Sequence, residues 1–133
     1  MAKIENFEDL ISWQKARVLD KEVFSTVRDS KISTDFALKD QILRSSGSIM
    51  DNITEGFERS GRREFIQFLA IAKGSCGELR SQFYRAFDRN YITSATFDKL
   101  KELCSEVSKI INGLITYLNK SEIKGSKFKE TQL

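Results

Sequence analysis

Not one of the 133 residues is proline. Proline breaks a helix interior by removing a backbone donor and clashing with the preceding turn, so its absence leaves long helices uninterrupted. The apolar residues fall into a matching rhythm. Leu10, Trp13, Ala16, Val23, Phe24 and Val27 recur at three- and four-residue steps, as do Leu38, Ile42, Ser45, Ile49 and Ile53. A third stripe is Phe65, Leu69, Ala72, Cys76, Leu79, Phe83 and Phe87. A fourth is Phe97, Leu100, Cys104, Val107, Ile111, Leu114 and Leu118. Four amphipathic helices on short connections predict an all-α fold, an antiparallel up-down four-helix bundle.

The boundaries follow from capping chemistry. Asn6 is placed to cap helix 1, expected over Phe7 to Arg28, with Glu8 and Asp9 favoured by the helix dipole. Thr34 or Asp35 caps helix 2, which should reach about Gly56. In the turn "GFERSG" the two glycines tolerate a positive φ and Ser60 is placed to cap helix 3; Thr93 and Ser94 are the candidate caps of helix 4. The bundle is expected over residues 1–120. Residues 121–133, "SEIKGSKFKETQL", mix charge, glycine and serine with little to bury and predict a flexible tail.

If the chain reverses near Ser60, the small segments "RSSGS" (Arg44 to Ser48) and "AKGSCG" (Ala72 to Gly77) face each other. A helical glycine costs about 1 kcal/mol relative to alanine. Gly47, Gly74 and Gly77 therefore need a reason, and close helix approach is the expected one. Apolar Phe68, Phe83, Tyr84 and Phe87, with Ile110, Ile115 and Tyr117, cover more circumference than one core requires, which predicts self-association.

Several chemistries are excluded by composition. With no histidine, Ser-His-Asp triads, HExxH zinc sites and the usual general base near neutral pH are unavailable. No catalytic residue, metal site or cofactor is expected. Glu55, Glu58 and Glu64 read as partners for nearby arginines, not as a metal set, and Cys76 and Cys104 as buried apolar filler. "GFERSGRR" has the glycine spacing of a phosphate loop, but it follows a helix and lacks the terminal Lys-Ser/Thr pair. The polar start "MAKIENFEDL" and the lack of a long apolar run predict a soluble, cytoplasmic protein with no membrane segment. Two N-x-S/T sequons, at Asn52 and Asn119, then have no glycosylation to serve.

The net charge is only +3, so any nucleic-acid argument is local. Arg59, Arg62, Arg63, Lys73, Arg80, Arg85 and Arg89 face only Glu64, Glu78 and Asp88 over the same stretch. Arginine suits phosphate recognition, and Tyr84 or Tyr91 would stack on bases; a solvated face with local ion pairs is the competing reading. Asn52 reads as a satisfied interior amide tying the end of helix 2 to the turn.

Three motifs carry a family likeness. Phe7, Leu10, Trp13, Ala16 and Leu19 match F-x-x-L-x-x-W-x-x-A-x-x-L. Gln41, Ile42, Arg44, Ser45, Ser48, Ile49, Asn52, Ile53, Glu55 and Gly56 match Q-[IL]-x-R-[AS]-x-x-S-I-x-x-N-I-x-E-G. Phe65, Phe68, Leu69, Ile71, Ala72, Gly74, Ser75, Glu78 and Leu79 match F-x-x-F-L-x-I-A-x-G-S-x-x-E-L. From about Ile4 to Leu118 the chain resembles the four-helix-bundle proteins encoded by intervening sequences in bacterial 23S ribosomal RNA genes, also called S23 ribosomal proteins. It departs at Val23-Phe24, where an aromatic followed by a basic residue is usual, and at Asp35-Phe36-Ala37, where Phe-Pro is usual.

The resemblance implies an up-down bundle, assembly into homopentameric rings and no catalytic residues. A related branch, the accessory variability proteins of diversity-generating retroelements, works with a reverse transcriptase. Two functional expectations follow. One is a non-enzymatic homo-oligomer that binds structured RNA or a ribonucleoprotein through a basic surface, with Asn52, Glu55 and Gly56 fixing the turn from which Arg59, Arg62 and Arg63 project. The other is a protein adaptor for a nearby-encoded partner such as a reverse transcriptase.

Overall fold

A computed structural model describes residues 3–120. Four long helices account for most of them: α1 (Ile11–Arg28), α2 (Phe36–Glu58), α3 (Arg62–Asp88) and α4 (Ser94–Lys120), with short 3-10 turns at Phe7–Asp9 and Lys31–Thr34. The expected flexible tail, 121–133, lies outside the described residues.

Cross-helix bonds join the helices at each seam, and where two bonds are paired their order is antiparallel. Ser46 donates to Asp20 between α2 and α1 (2.7 Å), and Ser48 and Ser75 share a hydrogen bond between α2 and α3 (2.9 Å). Lys73 reaches Asn112, and the later Arg80 reaches the earlier Ser105, between α3 and α4. Lys15–Glu106 and Glu22–Lys99 close α1 onto α4. The bundle is therefore up-down, with "RSSGS" facing "AKGSCG" as expected.

Every residue of the α4 stripe is buried, and so is the α3 stripe except half-buried Phe87. Phe24 departs from the sequence reading: assigned to the core face of α1, it is 55% exposed. Phe83, counted among the residues for self-association, is fully buried inside the subunit.

Helix ends depart in detail. Helix 1 does not run unbroken from Phe7; the chain makes a 3-10 turn, extends at Leu10 and enters α1 at Ile11. The Asp9 carboxylate accepts from the backbone N–H groups of Glu5 and Asn6, holding that turn closed. Asp35, not Thr34, caps α2 by accepting from Leu38 N at 3.2 Å. Thr93 accepts from Thr96 N and caps α4.

In the α2–α3 turn the positive φ falls on Ser60 (63°), so Ser60 is no cap. Gly61 holds the N-cap position at an ordinary φ of −97°, and the Glu64 side chain folds back over it. A flat hydrogen lets that carboxylate lie against the helix start, where the dipole favours negative charge.

The glycines reverse the expected pattern. A Cβ added at Gly47, Gly74 or Gly77 meets nothing within 4 Å, so close approach does not explain them. It does explain Gly56, where a Cβ would lie 2.7 Å from Phe68 Cβ and 3.1 Å from Phe65 Cδ1. Gly56 sits inside the last turn of α2 and is where α3 leans against it.

Candidate nucleic-acid interface

Asn52 spans α2 and α3 by a relay. Its amide donates to the Ser48 carbonyl (2.8 Å) and hydroxyl (2.9 Å), and Ser48 bonds Ser75 on α3. The bond expected to the turn is instead a tie one helical turn earlier, because the antiparallel register brings Ser75 opposite Ser48. Glu55 holds Arg59 at 2.9 Å, and the Arg59 guanidinium lies over the Phe68 ring, 5.2 Å from its centre. Glu55, Arg59 and Phe68 thus form a stack across α2 and α3 beside the Gly56 contact.

The seven candidate cations do not gather at one end. Arg59 ends α2, and the other six run along α3 for about 40 Å at 1.5 Å per residue, most of them at one or other of its two seams. On the α2 side Arg59 is paired with Glu55, Arg85 donates to the Gln41 amide oxygen (2.8 Å), and Arg89 pairs with Asp35 (2.8 Å). On the α4 side Arg62 donates to the Leu118 carbonyl (2.9 Å), Lys73 to the Asn112 amide oxygen (2.9 Å) and Arg80 to the Ser105 hydroxyl (3.4 Å). Arg63 is exposed on the first turn of α3.

This division decides where positive charge survives. A carboxylate partner cancels the field of Arg59 and Arg89, whereas a carbonyl, amide or hydroxyl orients a cation without cancelling it. Arg62, Lys73 and Arg80 all have such neutral partners, while on the α2 side Arg85 alone does. Their spacing returns each to the same face of a helix with about 3.6 residues per turn. Lys101 extends the row, its ammonium 5.8 Å from the centre of the Tyr84 ring. The α3–α4 seam consequently carries a line of cations that no carboxylate cancels.

Between Lys73 and Arg80 that seam opens into a groove of about 540 Å3, floored by Gly74 and Gly77 and walled by Ser108 and Asn112. No carboxylate lines it. A larger cleft of about 670 Å3 lies at the end of the bundle where α1 ends and α4 begins. Its charges are mixed, with the Glu22–Lys99 pair beside Asp29 and Lys31, so it has no preference for an anion.

Two further groups have shifted acidities. Asp35 accepts from the Tyr91 hydroxyl, Leu38 N and Arg89, which together hold its carboxyl below the usual range, while the same bond to Asp35 raises the Tyr91 phenol. Asp35 thereby ties the start of α2 to the end of α3, a role its sequence position as a cap did not disclose. Burial pushes the thiols of Cys76 and Cys104 up to about 12, which leaves them neutral and poorly nucleophilic. Among the described residues no cluster of three metal-ligating side chains occurs, and no helix is long and apolar enough to cross a membrane.

The fold and this seam define an all-α four-helix bundle with a cationic helix–helix groove and a hydrogen-bonded α2–α3 junction. The family model of the 23S rRNA-intervening sequence protein matches residues 8–113, and the chain belongs to that family. It is also similar to the crystal structure of a protein with unknown function from the S23 ribosomal protein family of Bacteroides thetaiotaomicron VPI-5482. The TM-score is 0.72 and the identity 24%, over 79% of this chain and 98% of the other. That likeness is one of fold. No curated protein matches the chain.

Proposed function

We propose that the protein is a non-enzymatic, self-associating bundle that binds structured RNA, alone or within a ribonucleoprotein, through the α3–α4 seam. The observation that carries this reading is the row Arg62, Lys73 and Arg80, each oriented by a neutral oxygen and on one face of α3. Uncancelled cations in a line suit a phosphate backbone, and their number sets the salt dependence of binding. The non-enzymatic part rests on the lack of histidine and on two thiols held neutral by burial.

The test is anisotropy of a ribosomal RNA fragment and of a random duplex, titrated across salt concentrations. A steep linear fall of log affinity with log salt is expected, with affinity weakened by Lys73→Glu with Arg80→Glu at unchanged helix content. Absence of binding at low salt refutes the reading. Sedimentation of the purified chain tests self-association.

A protein-adaptor reading is favoured by one observation, the exposure of Phe36 (75%) and Ile71 (52%). Retention of a host partner after complete nuclease digestion would support it.

A further inference from the structure

Gly74 and Gly77 are placed inside α3, where glycine weakens a helix, yet neither position needs it for packing: an added Cβ meets nothing within 4 Å. Gly47 and Gly113 are equally unconfined but do not line the groove. The two that do are on consecutive turns of its floor, between the cations that rim it. Lys73 and Arg80 stand on the order of 10 Å apart along the axis, far enough for two different phosphates. Ser108 and Asn112 supply polar groups on the opposite wall, and no carboxylate opposes an anion. The volume, about 540 Å3, is that of a small-ligand pocket and too small for the width of a duplex.

The geometry points to this groove as a channel for the sugar–phosphate backbone of one unpaired RNA strand, with Lys73 and Arg80 on two phosphates and Gly74 and Gly77 admitting the backbone to the helix surface. The inference rests on the RNA-binding reading above and narrows it to a single-stranded segment of the RNA. The groove lining holds no aromatic ring on which a base could stack and reads no base edge; contact is with the backbone, and binding is indifferent to base sequence.

The glycines provide a test that leaves the charges in place. Gly74→Leu with Gly77→Leu fills the floor while keeping Lys73 and Arg80. Gly74→Ala with Gly77→Ala, whose added atoms meet nothing, serves if the larger pair does not fold. Labelled oligouridylate and oligoadenylate, and an RNA hairpin without unpaired flanks, are titrated by anisotropy across salt, with circular dichroism and sedimentation on every variant.

The wild type is expected to bind both single strands with similar affinity and more tightly than the hairpin. The filled variant should lose affinity about tenfold or more, with a log–log salt slope shallower by about 1.4, or about 0.7 for each of two phosphates. Equal affinity of filled and wild-type protein for oligouridylate overturns the channel; if Lys73→Glu with Arg80→Glu still abolishes RNA binding, the broader reading survives it. A wild type preferring the hairpin also overturns the channel. A filled variant whose subunit count changes shows the groove to be an interface between copies and overturns it too. A wild type that binds no RNA at low salt overturns both.

Discussion

Two alanine substitutions on neighbouring helices should differ in stability, one raising it and the other failing to. Gly56→Ala and Gly74→Ala replace the same residue type within a helix, so each gains about 1 kcal/mol from helix propensity. At Gly74 nothing opposes that gain, because the new Cβ meets no atom within 4 Å. At Gly56 the Cβ would arrive 2.7 Å from Phe68 Cβ, 3.1 Å from Phe65 Cδ1 and 3.4 Å from Phe65 Cα. Carbon atoms pack at about 3.5–4.0 Å, and Phe68 Cβ is anchored to the backbone, so no rotamer change relieves the overlap.

The helices must part, an overpacking cost of about 1–3 kcal/mol. Gly74→Ala should therefore stabilise by about 1 kcal/mol, while Gly56→Ala ranges from neutral to about 2 kcal/mol destabilising. At roughly 4 °C per kcal/mol for a domain of this size, thermal midpoints of the two variants should differ by about 4–12 °C. The comparison cancels propensity and isolates the α2–α3 contact. If Gly56→Ala stabilises as much as Gly74→Ala, the account of Gly56 as the close-approach point is wrong.

Three other outcomes are expected. Asp35→Asn should destabilise at neutral pH, and the gap to wild type in urea midpoint should shrink in acid. The Asp35 carboxyl is depressed, so its contribution is complete above the usual carboxylate value of about 3.9 and is lost as pH falls through its lower folded value. A gap independent of pH would remove the ion from the account. Cys76 and Cys104, nearly buried at the floor of the α3–α4 groove and pushed up to about 12, should react with a disulfide reagent at mildly alkaline pH far more slowly than a free thiol; labelling of the native chain as fast as the unfolded one would contradict their burial. Ser75→Ala should cost about 1 kcal/mol by breaking the relay from Asn52 through Ser48, read as a shift in denaturant midpoint.

The stripes on α3 and α4 were legible because helical period and burial are one signal: residues that repeat every three or four positions face one way, and that side is the core. Phe24 shows the limit. It keeps the period of α1 approximately, but a residue at the edge of a stripe is placed by which neighbours pack there. Ser60 shows another. Glycine in a turn signals tolerance of positive φ without saying which residue adopts it, and here the chain put that burden on serine beside Gly61. The candidate cations were legible as a surplus along the chain. Their partners were not, because Gln41, Ser105, Asn112 and the Leu118 carbonyl are distant in sequence and arrive only with the fold.

Partner identity, more than the number of basic residues, organises the electrostatics of α3. Had Asn112 or Ser105 been carboxylates, Lys73 and Arg80 would form cross-helix ion pairs like Lys15–Glu106, worth little to stability when exposed and nearly silent toward a polyanion. The neutral oxygens do less for cohesion, since hydrogen bonds at this exposure compete with water. They fix where each cation points while leaving its charge available. The α1–α4 seam, closed by Lys15–Glu106 and Glu22–Lys99, is built with the opposite choice. Converting Asn112 to Asp would place a carboxylate 2.9 Å from Lys73 Nζ with almost no change of shape. That single atom exchange should leave the midpoint of unfolding nearly unchanged while weakening RNA binding, a separation that a purely structural role for the Lys73–Asn112 bond does not produce.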